Sequence, residues 1–242
     1  MDTISEHYPY PYMHLIEMVY AEGEIGPSRM GNLKQSTNVV LQIPDVSKIC
    51  KMPWNTIRNE NQDFICRYIE ATVKALPESY MLELAPKNSK NLEQLSMSYG
   101  EIIQIFSGDN WMNVRANSKR QVTMLFNEQT RSHNIPPCTM GFQFNSINGF
   151  LDMNVFSRSI DLYYGLTNDI VVFFALQDIV AEHNHLIPRR FMMSFGNLHF
   201  YLTKGKKIFQ WMKNRISTSC ECKIYNAEIR KYFHECGNIN LD

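Results

Sequence analysis

Two adjacent residues, Asn148-Gly149, constrain this chain more than any others. They join two strand-like runs, 139–147 and 150–157, and both accept the positive φ angles of a type I′ turn, so the segment predicts a β-hairpin. A hairpin needs a sheet around it, and other segments supply one. Residues 36–43 alternate and are rich in Val and Leu, 121–126 form a short strand-like run, and 191–195 and 198–202 read as strand. Helical spacing appears at 13–22. It recurs at 62–76, where Phe64, Ile65, Ile69, Val73 and Leu76 fall on one face. Residues 169–183 predict a strongly apolar helix that must lie in the core, and 206–215 a further helix. Residues 23–31, with Pro27 among glycines, read as a loop. So does the polar stretch 88–95 before Tyr99-Gly100, and Leu186-Ile187-Pro188 reads as a turn. With no repeat, low-complexity tract or linker, residues 1–242 read as one α+β domain, helices packed on a largely contiguous sheet.

Charge narrows the partners. The chain of 242 residues carries 24 basic and 24 acidic side chains. Zero net charge argues against DNA or an anionic membrane as partner, though a few placed arginines suffice for a small anion. With 44% hydrophobic residues the chain can bury a full core. The longest apolar run, 170–176, is too short to span a bilayer. The acidic start, Met1-Asp2-Thr3-Ile4-Ser5-Glu6-His7, lacks the features of a signal peptide, so a cytoplasmic location is expected. The six cysteines show no disulfide spacing. Cys220-x-Cys222 with His234-x-Cys236 is a poor match to structural zinc, and no metal is expected.

Three segments carry chemistry. Pro136-Pro137-Cys138 stands directly before the hairpin, where two prolines stiffen the approach to a strand that positions the thiol. A nucleophilic cysteine needs a cationic neighbour, and Arg158 at the far end of the hairpin can provide it. Arg158-Ser159-x-Asp161 follows, then Gly165, and Asn168-Asp169 opens the apolar helix. Gly196-x-x-His199-x-Tyr201 lies in a strand. Taken singly, each residue has a bland reading as a buried thiol, a solvated charge or a satisfied core histidine.

Together, in this order and with these gaps, the segments resemble the thymidylate synthase and pyrimidine nucleotide hydroxymethylase family. Gln143-Phe144 and the apolar helix add to the likeness. It is strongest from 117 to 201, leaving 1–25 as a divergent N-terminal extension and 203–242 as a divergent C-terminal segment. The resemblance implies a thymidylate-synthase-like fold whose mixed sheet forms a homodimer interface. It implies a nucleoside monophosphate as substrate and 5,10-methylenetetrahydrofolate as co-substrate. Cys138 takes the place of the thiolate that adds to carbon 6 of the pyrimidine, which makes carbon 5 a nucleophile. Arg158, with Ser159 beside it, matches the arginine that grips the phosphate near the thiol. Lys119 and Arg120 fall where the family has two arginines reaching across the dimer, and lysine at the first position loses the bidentate fork. Arg29 resembles a mobile phosphate-binding arginine in a degenerate motif. His199 and Tyr201 match the pair that hydrogen-bonds the sugar hydroxyl, and Asp161 the aspartate near the folate ring. Glu70 is the candidate for the glutamate that orders water at the base, against a solvated helix face.

Asp169 departs from thymidylate synthases, which carry asparagine there. The resembling deoxycytidylate hydroxymethylases have Asn-Asp in this register. A carboxylate can accept from a cytosine amino group and, when protonated, also serve the ring N3. A one-residue gap would place Asn168 at the base and restore a uracil reader. The polar end, 237–242, is unlike the apolar tail that closes the synthases, which favours water over hydride as the final nucleophile. The expected activity is therefore 5-hydroxymethylation of dCMP, with CMP also open. The alternatives are a divergent thymidylate synthase and a non-catalytic nucleotide- or RNA-binding homologue.

Overall fold

The computed structural model describes residues 11–28, 31–46, 103, 111–117, 121–126, 137–162 and 165–204. They form one mixed sheet with two helices, one before the first strand and one before the last: α1 (Pro11–Glu22), β1 (Glu24–Ser28), β2 (Gly31–Ile43), β3 (Val122–Met124), β4 (Thr139–Ile147), β5 (Phe150–Ser157), β6 (Ile160–Asp161), α2 (Leu166–His183) and β7 (Ile187–Tyr201). The sheet order is β1-β2-β7-β5-β4-β3, with β6 also pairing to β7. All neighbours are antiparallel except β5 and β6 against β7, because α2 crosses over between them. The α+β architecture, helices packed on one mixed sheet, is the one the sequence implies.

The hairpin matches its expected boundaries. Asn148 and Gly149 both have positive φ, 52° and 81°, as a type I′ turn requires. Alternation then decides which face is covered. Phe142, Phe144, Leu151, Met153, Val155, Phe191, Met193 and Phe195 point to one face and are buried against α2, whose Phe173 lies 6.1 Å from Phe142 and whose Phe174 lies 4.7 Å from Phe191. Each fully buried Phe contributes on the order of 2 kcal/mol. Leu15, Ile16 and Val19 of α1 join the same core. Where β5 meets β7 the register shifts by one residue. Asp152 fills this bulge by accepting from Arg189 Nε (2.9 Å), Arg189 Nη2 (2.8 Å) and the Arg190 N–H (3.2 Å). Gln177 of α2 donates from its amide to the Leu151 and Arg190 carbonyls, both at 2.9 Å.

Several expectations need correction. Residues 23–31 are not a loop: β1 pairs with β2 from Glu24↔Gln35 to Ser28↔Gly31. An edge strand exposed on much of its surface shows no hydrophobic alternation, and Pro27, which has no N–H to donate, is tolerated because no further strand pairs beyond β1 among the described residues. Strand β2 begins earlier than expected, and 191–195 and 198–202 are parts of one strand, β7. Ile187 and Pro188 open β7 instead of forming a turn, which lies just before them at His185 (φ 55°). Helix α2 starts three residues before Asp169. The helices expected at 62–76 and 206–215, the loop at 88–95 and Cys220, Cys222, His234 and Cys236 lie outside the described residues. Among the described residues no helix is long and apolar enough to cross a membrane.

Candidate active site

Cys138 sits immediately before β4, held by the far end of the hairpin. Its carbonyl accepts from the Arg158 N–H (2.9 Å) and the Ser157 hydroxyl (3.1 Å). The Arg158 side chain returns to the same place: Nε donates to the Pro137 carbonyl (3.1 Å), and Nη2 lies 3.9 Å from Cys138 Sγ. This geometry follows from a break in the strand. β5 ends at Ser157, and the chain re-pairs with β7 as β6 only at Ile160. Gly196 of β7 faces the break, where a Cβ would stand 2.8 Å from the Arg158 carbonyl oxygen. Glycine is needed here for close approach of two backbones.

The other end of the break carries the second group. Asp161 pairs in register with His199, whose carbonyl accepts from the Leu162 N–H (2.7 Å). Ser159 Oγ is 3.5 Å from His199 Nδ1. Tyr201, two residues along the same strand face, meets the His199 ring edge-on at 5.6 Å. Asp169 lies in the first turn of α2, its N–H bonded to the Gly165 carbonyl (2.9 Å). Thus Cys138, Arg158, Ser159, Asp161, Asp169, His199 and Tyr201 are organised around one strand break and the start of one helix. Arg29, Glu70, Lys119, Arg120 and Pro136 lie outside the described residues. Among the described residues no group of three or more His, Cys, Asp or Glu could hold a metal ion. Sequence reasoning missed Ser157, Asn197 and Gln35. Asn197 had a signal, its i−2 position relative to His199, which puts both on one strand face.

Burial dominates the electrostatics. It pushes the Cys138 thiol up; the Arg158 guanidinium opposes this, and the Asp169 carboxylate adds to it. Asp169 itself is pushed up to about 7 by burial. Burial lowers His199, against the pull of Asp161, so the ring is neutral near pH 7. A protonated Asp169 removes the like charge that disfavours thiolate, so the two acids are coupled. Replacing Arg158 with alanine should raise the thiol further and slow iodoacetamide alkylation of Cys138 at about pH 7.5 by roughly 3–10-fold. An unchanged rate would show that the sulfur does not feel the guanidinium.

Asp169 also sets a pH dependence of stability. Its carboxyl titrates near 7 when folded against an ordinary 3.8. Between those values the folded chain holds a proton that the unfolded chain has lost. Stability therefore falls as pH rises from about 4 to about 7 and stays lower above. Asp169→Asn abolishes this loss, so its Tm relative to the parent should be several degrees higher at pH 8 than at pH 5. Equal differences at both pH values would contradict the buried-acid account.

The outer sheet face is less covered. Val40, Met140, Phe156, Ser194 and Gly196 line an open depression of about 510 Å³ with Arg158 at its rim. Met124, Met140 and Phe156 are exposed on this side.

Comparison with known proteins identifies the family and the fold. The family model described as thymidylate synthase matches residues 54–237. Among curated relatives, the thymidylate synthase of Enterobacteria phage T4 is 31% identical over 127 residues, 52% of this chain and 44% of its own length. The thymidylate synthase of Mesoplasma florum is 30% identical over 95 residues, 39% of this chain and 33% of its own length. A probable thymidylate synthase of Escherichia phage T5 is 33% identical over 82 residues, 34% of this chain and 29% of its own length. The matched segments thus span less than half of these relatives. The crystal structure of the T4 phage thymidylate synthase superposes with a TM-score of 0.66 at 23% identity, covering 82% of this chain and 79% of that one. The family match extends well beyond the segments that first suggested it, and this chain belongs to the thymidylate synthase family.

Proposed function

We propose that the chain transfers a one-carbon unit from 5,10-methylenetetrahydrofolate to carbon 5 of a cytidine monophosphate, dCMP or CMP, and that water completes the reaction to the 5-hydroxymethyl nucleotide. The observation that carries this reading is a half-buried carboxyl, Asp169, whose proton is held up to about pH 7 and which is electrostatically coupled to the candidate nucleophile Cys138. A base whose carbon 6 meets the thiolate would present its N3 and 4-amino edge to that carboxyl. A neutral acid both donates and accepts, matching the cytosine N3 acceptor and amino donor. Arg158 binds the phosphate and favours the thiolate.

The balance of the reaction follows from this placement. The Cys138 thiolate bonds to carbon 6, and the electron pair released to carbon 5 attacks the folate's one-carbon unit. The carbon 5 proton leaves to a base, and Glu70 is the candidate to order the water that relays it. The folate nitrogen departs, water adds to the resulting exocyclic methylene, and the thiolate is expelled from carbon 6. Tetrahydrofolate and the hydroxymethyl nucleotide are the products, with no change of redox state. Asp161, half-buried beside His199, suits the N–H donors of the folate ring. The reading includes a homodimer through the partly apolar outer sheet face, with Lys119, Arg120 and Arg29 completing the phosphate site, and a cytoplasmic location. A second reading has support in the relatives' names, which are thymidylate synthases: methylation of dUMP, with hydride from the folate replacing water. Incubation with 5,10-methylenetetrahydrofolate and each nucleotide, followed by product mass, separates the two. The first predicts a gain of one formaldehyde unit on a cytidylate, the second one methylene unit on dUMP.

A further inference from the structure

His199 has a second partner besides Ser159. Its Nδ1 lies 2.8 Å from Asn197 Oδ1, and Asn197 Nδ2 in turn donates to Gln35 Oε1 at 2.7 Å. The three side chains come together because of the sheet. Asn197 and His199 alternate onto one face of β7, and Gln35 of β2 stands opposite His199 in register. On the far side, Gly26 of β1 makes room for Gln35: a Cβ there would lie 2.9 Å from Gln35 Nε2. The chain of contacts has a direction. An amide oxygen only accepts, so Gln35 Oε1 holds the Asn197 amino group, and that leaves Asn197 Oδ1 facing the ring.

We infer that Gln35 and Asn197 are positioning residues that fix His199 as the Nδ1–H tautomer, so that its Nε2 presents a lone pair and accepts a hydrogen bond from the ligand. The opposite tautomer would set two lone pairs against each other at 2.8 Å. Neutral imidazole has one donor and one acceptor, and the partner of one nitrogen decides the role of the other. Burial keeps the ring neutral, in agreement with this arrangement. Resting on the nucleotide reading above, the consequence is specific: the sugar hydroxyl donates to Nε2, and a nucleotide without that O–H loses the contact.

The test begins on the ligand-free full-length protein, with long-range ¹H–¹⁵N correlation of its histidines at about pH 8 and assignment of His199 by His199→Gln. The expected spectrum shows a protonated Nδ1 and an unprotonated Nε2. Asn197→Leu should release the tautomer and raise KM for the nucleotide by about tenfold with kcat within about threefold. Asn197→Asp, whose carboxylate can again accept from Nδ1–H, should restore both. A protonated Nε2 in the parent, or an unchanged tautomer and KM in Asn197→Leu, overturns the inference. The expected tautomer in a protein inert toward dCMP, CMP and dUMP would support the relay and overturn the functional reading instead.

Discussion

Replacing Cys138 with alanine should abolish product formation, lowering turnover by about 10⁴-fold or more, while the nucleotide still binds. The expectation is large because carbon 5 of a pyrimidine has almost no nucleophilicity until a group adds at carbon 6. No other described cysteine exists to substitute for the thiol. Nucleotide affinity should change far less, since Arg158 and His199 keep their own backbone positions. The Cys138 carbonyl, not its sulfur, takes the Arg158 N–H and Ser157 hydroxyl bonds, so alanine leaves the strand break intact. Single-turnover product formation beside equilibrium binding of dCMP reads both quantities. Turnover within tenfold of the parent would remove the covalent step from the account.

Asp169→Asn should move base preference from cytosine toward uracil by roughly 10–100-fold in relative kcat/KM. The acid and the amide differ at the atoms that meet N3 and the 4-substituent. A neutral acid donates one hydrogen where an amide offers two, and a mispaired edge leaves a buried polar group unsatisfied. The rate profile should change as well. On the proposed reading, activity of the parent toward cytidylate should fall as pH rises through about 7, where Asp169 loses its proton, and the asparagine variant should lack that limb. Unchanged preference would mean that the base does not meet Asp169, as the one-residue gap toward Asn168 implies.

Much of the site was legible because its determinants are local. Asn148-Gly149 announces its turn in two residues, and the hairpin it closes brings Cys138 and Arg158 together, 20 positions apart. The Gly196 and His199 spacing likewise survives in one strand. What the sequence did not show depends on partners remote in the chain. Strand β1 has no apolar alternation, because it lies at an edge and is held by backbone bonds to β2. Gln35 reads as an ordinary polar strand residue until β2 is laid against β7, 162 residues away from Asn197. The burial that pushes Asp169 up to about 7 belongs to the folded structure and has no signal in the local sequence.

The central claim is that this fold turns over a cytidylate at carbon 5. Release of tritium from carbon-5-labelled dCMP, CMP and dUMP, with methylenetetrahydrofolate present and each product weighed, tests it most directly. The account predicts release from dCMP or CMP with a hydroxymethyl product, and little from dUMP. Release from dUMP alone, with a methylated product, would contradict it and make Asp169 a tolerated substitution in a thymidylate synthase.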